Sequence, residues 1–321
     1  MAEEQSLRFQ ATSDNEKYID LSSALTAVNR KQYHQFAKDG TPLCYRVTLR
    51  FTGAAAASDR ATIITAPNTW TTRNACKKMS AAWKKQLKDS GIKMRDIGTY
   101  ARRLRLPLDS VMSASGTGSM YSTLEPYVSV AGTPESAFQT YTTKDGITVT
   151  YGAAGEFTRV AIPDEVGGGD SVEMNLKLLG TSDAITTNNY FGVIDEYLGS
   201  RGGVIDEPSS SQQLPESDNL MQTLFSSTQP STDEVIDAME DYQDYRPYND
   251  KWLDSSATTP TETNLAKRET MHGVLTPLEP FSATNSNFNE ITFDAPLGLI
   301  KIPESINKFI LTVDVHAIYE M

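Results

Sequence analysis

Leu43-Cys44-Tyr45-Arg46-Val47-Thr48-Leu49-Arg50-Phe51 is the run that decides the fold. Leu43, Tyr45, Val47, Leu49 and Phe51 fall on one face, and Cys44, Arg46, Thr48 and Arg50 on the other. A period of two is the signature of a strand with one buried side. Val172, Met174, Leu176 and Leu178 repeat it, alternating with Glu173, Asn175 and Lys177. So do Phe309, Leu311, Val313, Val315, Ala317 and Tyr319, which predicts a long last strand sewn into a sheet. Phe157 to Ile162 reads as a strand stopped by Pro163. Tyr141-Thr142-Thr143 and Ile147 to Tyr151 flank Asp145-Gly146 and predict a hairpin.

Helices are few by pattern. One is expected from Thr71 to Ser90, capped by Asn68 or Thr69, with Ala75, Met79, Trp83 and Leu87 as its inward stripe. Asp89-Ser90-Gly91 should end it. A second is expected from Ser231, where Ser-Thr-Asp-Glu forms a capping box, through Val235, Ile236, Met239 and Tyr242. Polar, glycine-rich loops separate these elements, at Ser113–Ser119, Gly167–Gly169, Gly199–Gly203 and Ser209–Ser217. Many strands with few helices predict a mainly β sandwich. With 321 residues and an even division at Gly167–Gly169, the expected architecture is a double jelly roll, residues 1–166 and 170–321. The alternative is a single jelly roll carrying long insertions, the Thr71–Ser90 helix among them.

Charge is segregated. Trp70 to Arg105 holds eleven Lys/Arg against Asp89 and Asp96, a local excess of nine in a chain of net charge −12. Asp164 to Asp254 holds nineteen acids and four bases, a deficit of fifteen. Opposite signs on separate surfaces favour head-to-side assembly of identical copies. A pI near 4.8 argues against coating nucleic acid with the whole surface, which leaves Lys77 to Lys88 as the one stretch suited to DNA. Met1 to Gln10 lacks the apolar centre of a secretory signal, and no run approaches the roughly 18 apolar residues of a membrane helix. Soluble synthesis in a cytosol-like compartment is therefore expected.

No reaction chemistry announces itself. Cys44 and Cys76 lack CxxC or Cys/His neighbours and are expected to be buried thiols. His34 lies in a charged segment, His272 in an expected loop and His316 on the polar face of the last strand, none with a metal-like partner. Asp195-Glu196 and Asp206-Glu207 read as solvated pairs, because strand neighbours point to opposite faces and cannot flank a sugar together. The Gly167–Gly169 and Gly199–Gly203 runs match no phosphate-binding motif. Trp83 reads as a core anchor, and neither an enzyme nor a cofactor is expected. A carbohydrate-binding or carbohydrate-cleaving sandwich, with Tyr242 to Trp252 stacking on sugars, is the alternative in another functional class.

Several segments resemble major capsid proteins of small icosahedral single-stranded DNA viruses and phages. They are Tyr18 to Ser22 with Ala27 to Tyr33; Pro67-Asn68-Thr69-Trp70 with Arg73-Asn74-Ala75; Phe191 to Tyr197 with Ser200-Arg201; and Pro296 to Ile300. The resemblance implies a jelly-roll subunit that self-assembles into an icosahedral shell within a virion made in host cytoplasm. Its implied partners are copies of itself, trimeric capsomers included, and minor capsid proteins. Trp70, as an anchor, and Arg73, Lys77, Lys84 and Lys88 would face a neighbouring subunit or the genome, the latter through the Thr71–Ser90 helix. The acidic N-terminus departs from the basic packaging arm common in such proteins, so the genome would be met by the lysine helix, another protein or an internal membrane.

Overall fold

The computed structural model describes residues 5–11, 16–52, 61–113, 123–130, 133–136, 141–142, 144, 148–149, 157–163, 171–182, 190–202, 270–275, 289–303 and 309–321. In chain order come β1 (Ser6–Ala11), β2 (Lys17–Asp20), α1 (Leu21–Asn29), β3 (Leu43–Thr52), β4 (Ala61–Thr65) and α2 (Trp70–Asp89). A 3-10 turn (Thr99–Arg102) and the single turn α3 (Ser110–Ser113) follow. Next are β5 (Tyr127–Val130), β6 (Thr133–Ser136), β7 (Tyr141–Thr142), β8 (Thr148–Val149), β9 (Arg159–Pro163), β10 (Ser171–Lys177), β11 (Tyr190–Gly192) and α4 (Val193–Gly202). Last come β12 (Thr270–Leu275), β13 (Asn289–Pro296), β14 (Leu299–Ile302) and β15 (Phe309–Glu320).

The chain is mainly β, with antiparallel sheets and few helices. Two four-stranded sheets have the orders β1-β15-β3-β13 and β2-β14-β4-β12. Their pairing is nested. β1 pairs with β15, β2 with β14, β3 with β13 and β4 with β12, all antiparallel. That is a long hairpin whose two arms are the chain ends, rolled until β15 also meets β3 and β14 meets β4. Both sheets therefore take strands from either side of Gly167. Glycine content marks a local joint but carries no information about which distant strands pair. The Gly167–Gly169 run lies outside the described residues. So do the expected helix at Ser231–Tyr242, the Asp206-Glu207 pair and the Ser209–Ser217 loop.

Alternation explains how the sheets stack. Leu7, Phe9, Tyr45, Val47, Leu49, Phe293, Ala295, Leu311, Val313 and Val315 point from the first sheet into one core. There they meet Ile19, Ile63, Ile300 and Ile302 of the second, with Leu21, Ala24 and Leu25 of α1. Each such large side chain contributes about 1.5–3 kcal/mol on burial. The turn from β13 to β14 changes sheets in two residues, Leu297 (φ 56°) and Gly298 (φ 71°). Positive φ at both central positions is the type I′ condition. A Cβ at Gly298 would also lie 3.0 Å from the Tyr45 ring, so glycine is favoured on both counts.

Residues 66–269 are inserted at the hairpin's tip, between β4 and β12. Their described strands form a three-stranded sheet, β11-β10-β9, and the hairpins β5-β6 and β7-β8, the last as the sequence predicts. The insertion folds back over one side of the sandwich. Leu124 N–H donates to the Tyr18 carbonyl at 2.7 Å, and Pro126 bridges to Phe9. Both edge strands on that side are thereby covered, which is why every residue of β2 is buried. A second core seats the insertion: Ala75, Cys76 and Trp83 of α2, Leu104, Leu106 and Leu108, Met174 and Leu176, and Val193, Ile194 and Tyr197. They pack with Tyr18, Phe36, Leu297 and Leu299 of the roll.

Two helices were not legible in the pattern. α1 is capped by Asp20, whose carboxylate accepts from Ser22 N at 3.0 Å and Ser23 N at 3.2 Å. α4 runs through Gly199 and Gly202, where a loop is expected. It holds Asp195 and Glu196 in its first turn, so this pair sits at a helix N-terminus and not in a strand. His272 lies on β12, not in a loop.

Candidate functional site

α2 begins at Trp70 because Thr69 is extended and its hydroxyl accepts from Thr72 N at 3.3 Å. Ala75, Cys76, Ser80 and Trp83 are buried, and Met79 and Leu87 pack half-buried on the same side. The inward stripe is as the spacing predicts, with Trp83 in the core. Arg73, Lys77, Lys78, Lys85 and Lys88 are exposed, while Lys84 and Trp70 are half-buried. Arg73, Lys77, Lys84 and Lys88 fall within about 60° of one another around the axis, along about 22 Å of helix. The five expected residues thus share one element. Trp70 stands at its head, and the four cations form one line.

The roll braces this helix. Lys84 Nζ donates to the Lys38 carbonyl at 3.0 Å. Gly40, with φ 103°, lies so close that a Cβ there would meet Ser80 Oγ at 2.4 Å. On the insertion side Gln86 Nε2 donates to the Ala161 carbonyl. The turn before β3 also brings exposed Lys38 to the cation line. Sequence spacing cannot reveal that contact, because Lys38 and Lys84 meet only after folding. Asp39 lies beside it, its carboxyl held below the usual range by Thr41 hydrogen bonds, with Lys77 assisting.

Behind α2 lies a buried polar dock. Arg105 Nη2 reaches Asp20 Oδ2 at 2.9 Å with both side chains almost fully enclosed, and also bonds Ser23 Oγ. Gln35 clasps both backbone polar groups of one residue: its Nε2 donates to Leu106 O at 3.0 Å and its Oε1 accepts from Leu106 N at 2.7 Å. Arg103 donates to Phe36 O at 3.0 Å. His34, half-buried nearby, is pushed down to about 4 by burial and by the charges of Arg103 and Arg105. Tyr18 donates to Asp109 at 2.7 Å and to Glu16 at 2.9 Å, and Lys301 bonds Asp109 at 3.1 Å. Burial, then Asp109 and Glu16, raise the Tyr18 phenol well above its ordinary range, so it serves as a donor and not as a nucleophile.

The histidines are engaged in separate structural bonds. His272 Nε2 lies 2.7 Å from Thr65 Oγ1 with its ring stacked 4.6 Å from Phe293. His316 Nε2 lies 2.7 Å from Thr48 Oγ1, on the polar face as predicted. Burial lifts the Cys44 thiol to about 11 and the Cys76 thiol to about 12, and both are free and buried. Among the described residues no group of His, Cys, Asp and Glu could hold a metal ion, and no helix is long and apolar enough to cross a membrane. The aromatic stretch Tyr242 to Trp252 lies outside the described residues.

No protein-family model, curated protein or solved structure matches this chain. Of the capsid-like segments, Tyr18, Ala75, Val193, Ile194, Tyr197, Leu297 and Leu299 enter the core that seats the insertion on the roll. Ile19, Leu21, Val28, Tyr33 and Ile300 belong instead to the core between the two sheets.

Proposed function

We propose that this chain is a structural subunit of an icosahedral viral shell, built on one jelly roll with a long insertion at the tip of its rolled hairpin. Numbering only the eight strands of the two large sheets, the orders 1-8-3-6 and 2-7-4-5 are those of a double Greek-key roll. This nested order is the observation that carries the reading, and it favours the single roll over two rolls in tandem. Fold alone does not specify function. The shell reading adds the resemblance of these segments to capsid proteins, each set of which places at least one side chain in the core that seats the insertion. Coverage of one pair of sheet edges suits a subunit that must meet its neighbours through loops and helices, not by adding strands.

The subunit would act by shape, with copies of itself as principal partners and with interfaces of standard size or larger. Electron microscopy of the purified full chain across salt concentrations tests this. Capsomers or closed particles tens of nanometres wide are expected. A species that stays monomeric under every condition and cleaves or binds a glycan would overturn the reading.

A further inference from the structure

We propose that the cation line of α2, joined by Lys38, is a binding surface for the phosphate backbone of a nucleic acid strand, without base specificity. The partner deepens the shell reading by naming what a shell would enclose; the binding itself is measured on unassembled protein. The first support is geometric. Arg73, Lys77, Lys84 and Lys88 form one row along α2, and the exposed Lys78 and Lys85 flank it. The neighbouring side of the helix, with Ala75, Cys76, Trp83 and Leu87, is packed in the core, so the row cannot rotate away. The Thr69 cap, the Gly40–Ser80 contact and the Gln86–Ala161 bond fix it further. A row on a fixed backbone spares the cost of ordering the main chain when a strand binds.

The second support is chemical and separates this partner from an acidic protein surface. Protein interfaces are centred on aromatic and apolar anchors and are depleted in lysine. The α2 row is lysine-dominated. The large exposed apolar side chains among the described residues, Ile92, Val111, Ile310, Ile318 and Tyr319, all lie outside the helix. Among the described residues, Asp39 lies beside Lys77 and Asp89 is the last residue of the helix. The overall charge of −12 does not forbid binding. Salt screens interactions beyond about 10 Å at 0.1 M, so the neighbouring cations dominate at contact. Lys84 spends one of its three ammonium protons on Lys38 O.

Four to six phosphate contacts on a single strand give a log–log salt slope of roughly −3 to −4. Affinity should then fall about 100-fold between 50 and 200 mM salt. Fluorescence anisotropy with a labelled thymidine 30-mer, and in a second arm a duplex of equal length, measures this on the full chain. Binding of either form with such a slope supports the proposal, and the arms tell which form is preferred. The quadruple variant R73Q/K77Q/K84Q/K88Q should bind at least 30-fold more weakly at 50 mM salt and lose about 3 from the slope. Replacing Lys77, Lys84 and Lys88 by arginine should preserve binding, and R8Q, at an exposed position of β1, should leave it unchanged. Circular dichroism confirms that the variants remain folded. Absence of binding to both forms at 50 mM salt overturns the proposal, as does undiminished binding by the quadruple variant. Loss of self-association with intact nucleic acid binding overturns it too, and assigns the row to a neighbouring copy. Failure of the wild type to form particles while it binds the 30-mer would count against the shell alone.

Discussion

The roll and the insertion are held by different means. The roll joins the two ends of the chain through long antiparallel ladders over an apolar core. The insertion also has an apolar core, but it is fastened to the roll by directed buried bonds: Asp20 to Arg105, Gln35 to Leu106, and Tyr18 through Asp109 to Lys301. Apolar burial is non-directional and sets how much stability a region has. Hydrogen-bonded charges have one geometry in which they are satisfied, and so they fix where the insertion sits. All three tryptophans, Trp70, Trp83 and Trp252, lie within residues 66–269, so their fluorescence reports on the insertion. Far-UV circular dichroism follows the sheets as well. The two halves of the comparison can be watched separately.

The largest effects fall on the two kinds of anchor. Phe9→Ala empties a fully buried site in the roll and should cost about 3–5 kcal/mol in urea unfolding, moving both signals together. Arg105→Ala should cost a similar amount, about 3–5 kcal/mol, by stranding the buried Asp20 carboxylate. The distinction lies in rescue. Adding Asp20→Asn to Arg105→Met removes the stranded charge while keeping a capping side chain for α1, and should recover most of the loss. Fluorescence should lead the sheet signal in Arg105→Ala. Coincident transitions, with no rescue in the double variant, would mean that the insertion and the roll are one apolar unit. Gln35→Ala comes next. It leaves a buried peptide N–H and carbonyl at Leu106 without their partner, a loss of about 1–3 kcal/mol that the tryptophan signal should show first.

What the chain discloses before folding follows the same line. The period of β3, that of β15 as far as Val315, and the inward stripe of α2 are local, and each is visible because one face of one element is buried. Past the bulge after Val315 the predicted inward Ala317 and Tyr319 are exposed. β2 is buried on both faces and reads as no pattern at all: Lys17 and Asp20 are as enclosed as Tyr18 and Ile19, since the strap at 123–126 covers them. α1 hides because its start signal, Asp20, doubles as the partner of Arg105, which stands 85 residues away. α4 hides because it contains glycines. The nesting of strands is a property of distant pairs, which no local composition records. Of the basic surface, the row on α2 was legible as helical spacing. Lys38 was not, since it arrives from a turn that only the folded roll places there.

The smallest expected effect concerns pH and sits at the seam between the regions. His34 belongs to the roll side, where its carbonyl accepts from Tyr45 Oη at 2.6 Å, while Arg103 and Arg105 of the insertion add positive charge. With burial they hold the imidazole at about 4, below its ordinary 6.5. Between those values the folded protein keeps His34 neutral while the unfolded chain takes up a proton. The unfolded state therefore gains as pH falls from about 6.5 to 4, and the effect is complete below 4. His34→Gln should unfold like the parent at pH 7.5 and lose stability less steeply between pH 6.5 and 4.5, read from urea midpoints at each pH. The Arg105→Met/Asp20→Asn background removes one of the two cations and should weaken the same dependence. An identical pH profile for His34→Gln and the parent would place the acid sensitivity elsewhere and detach it from the seam.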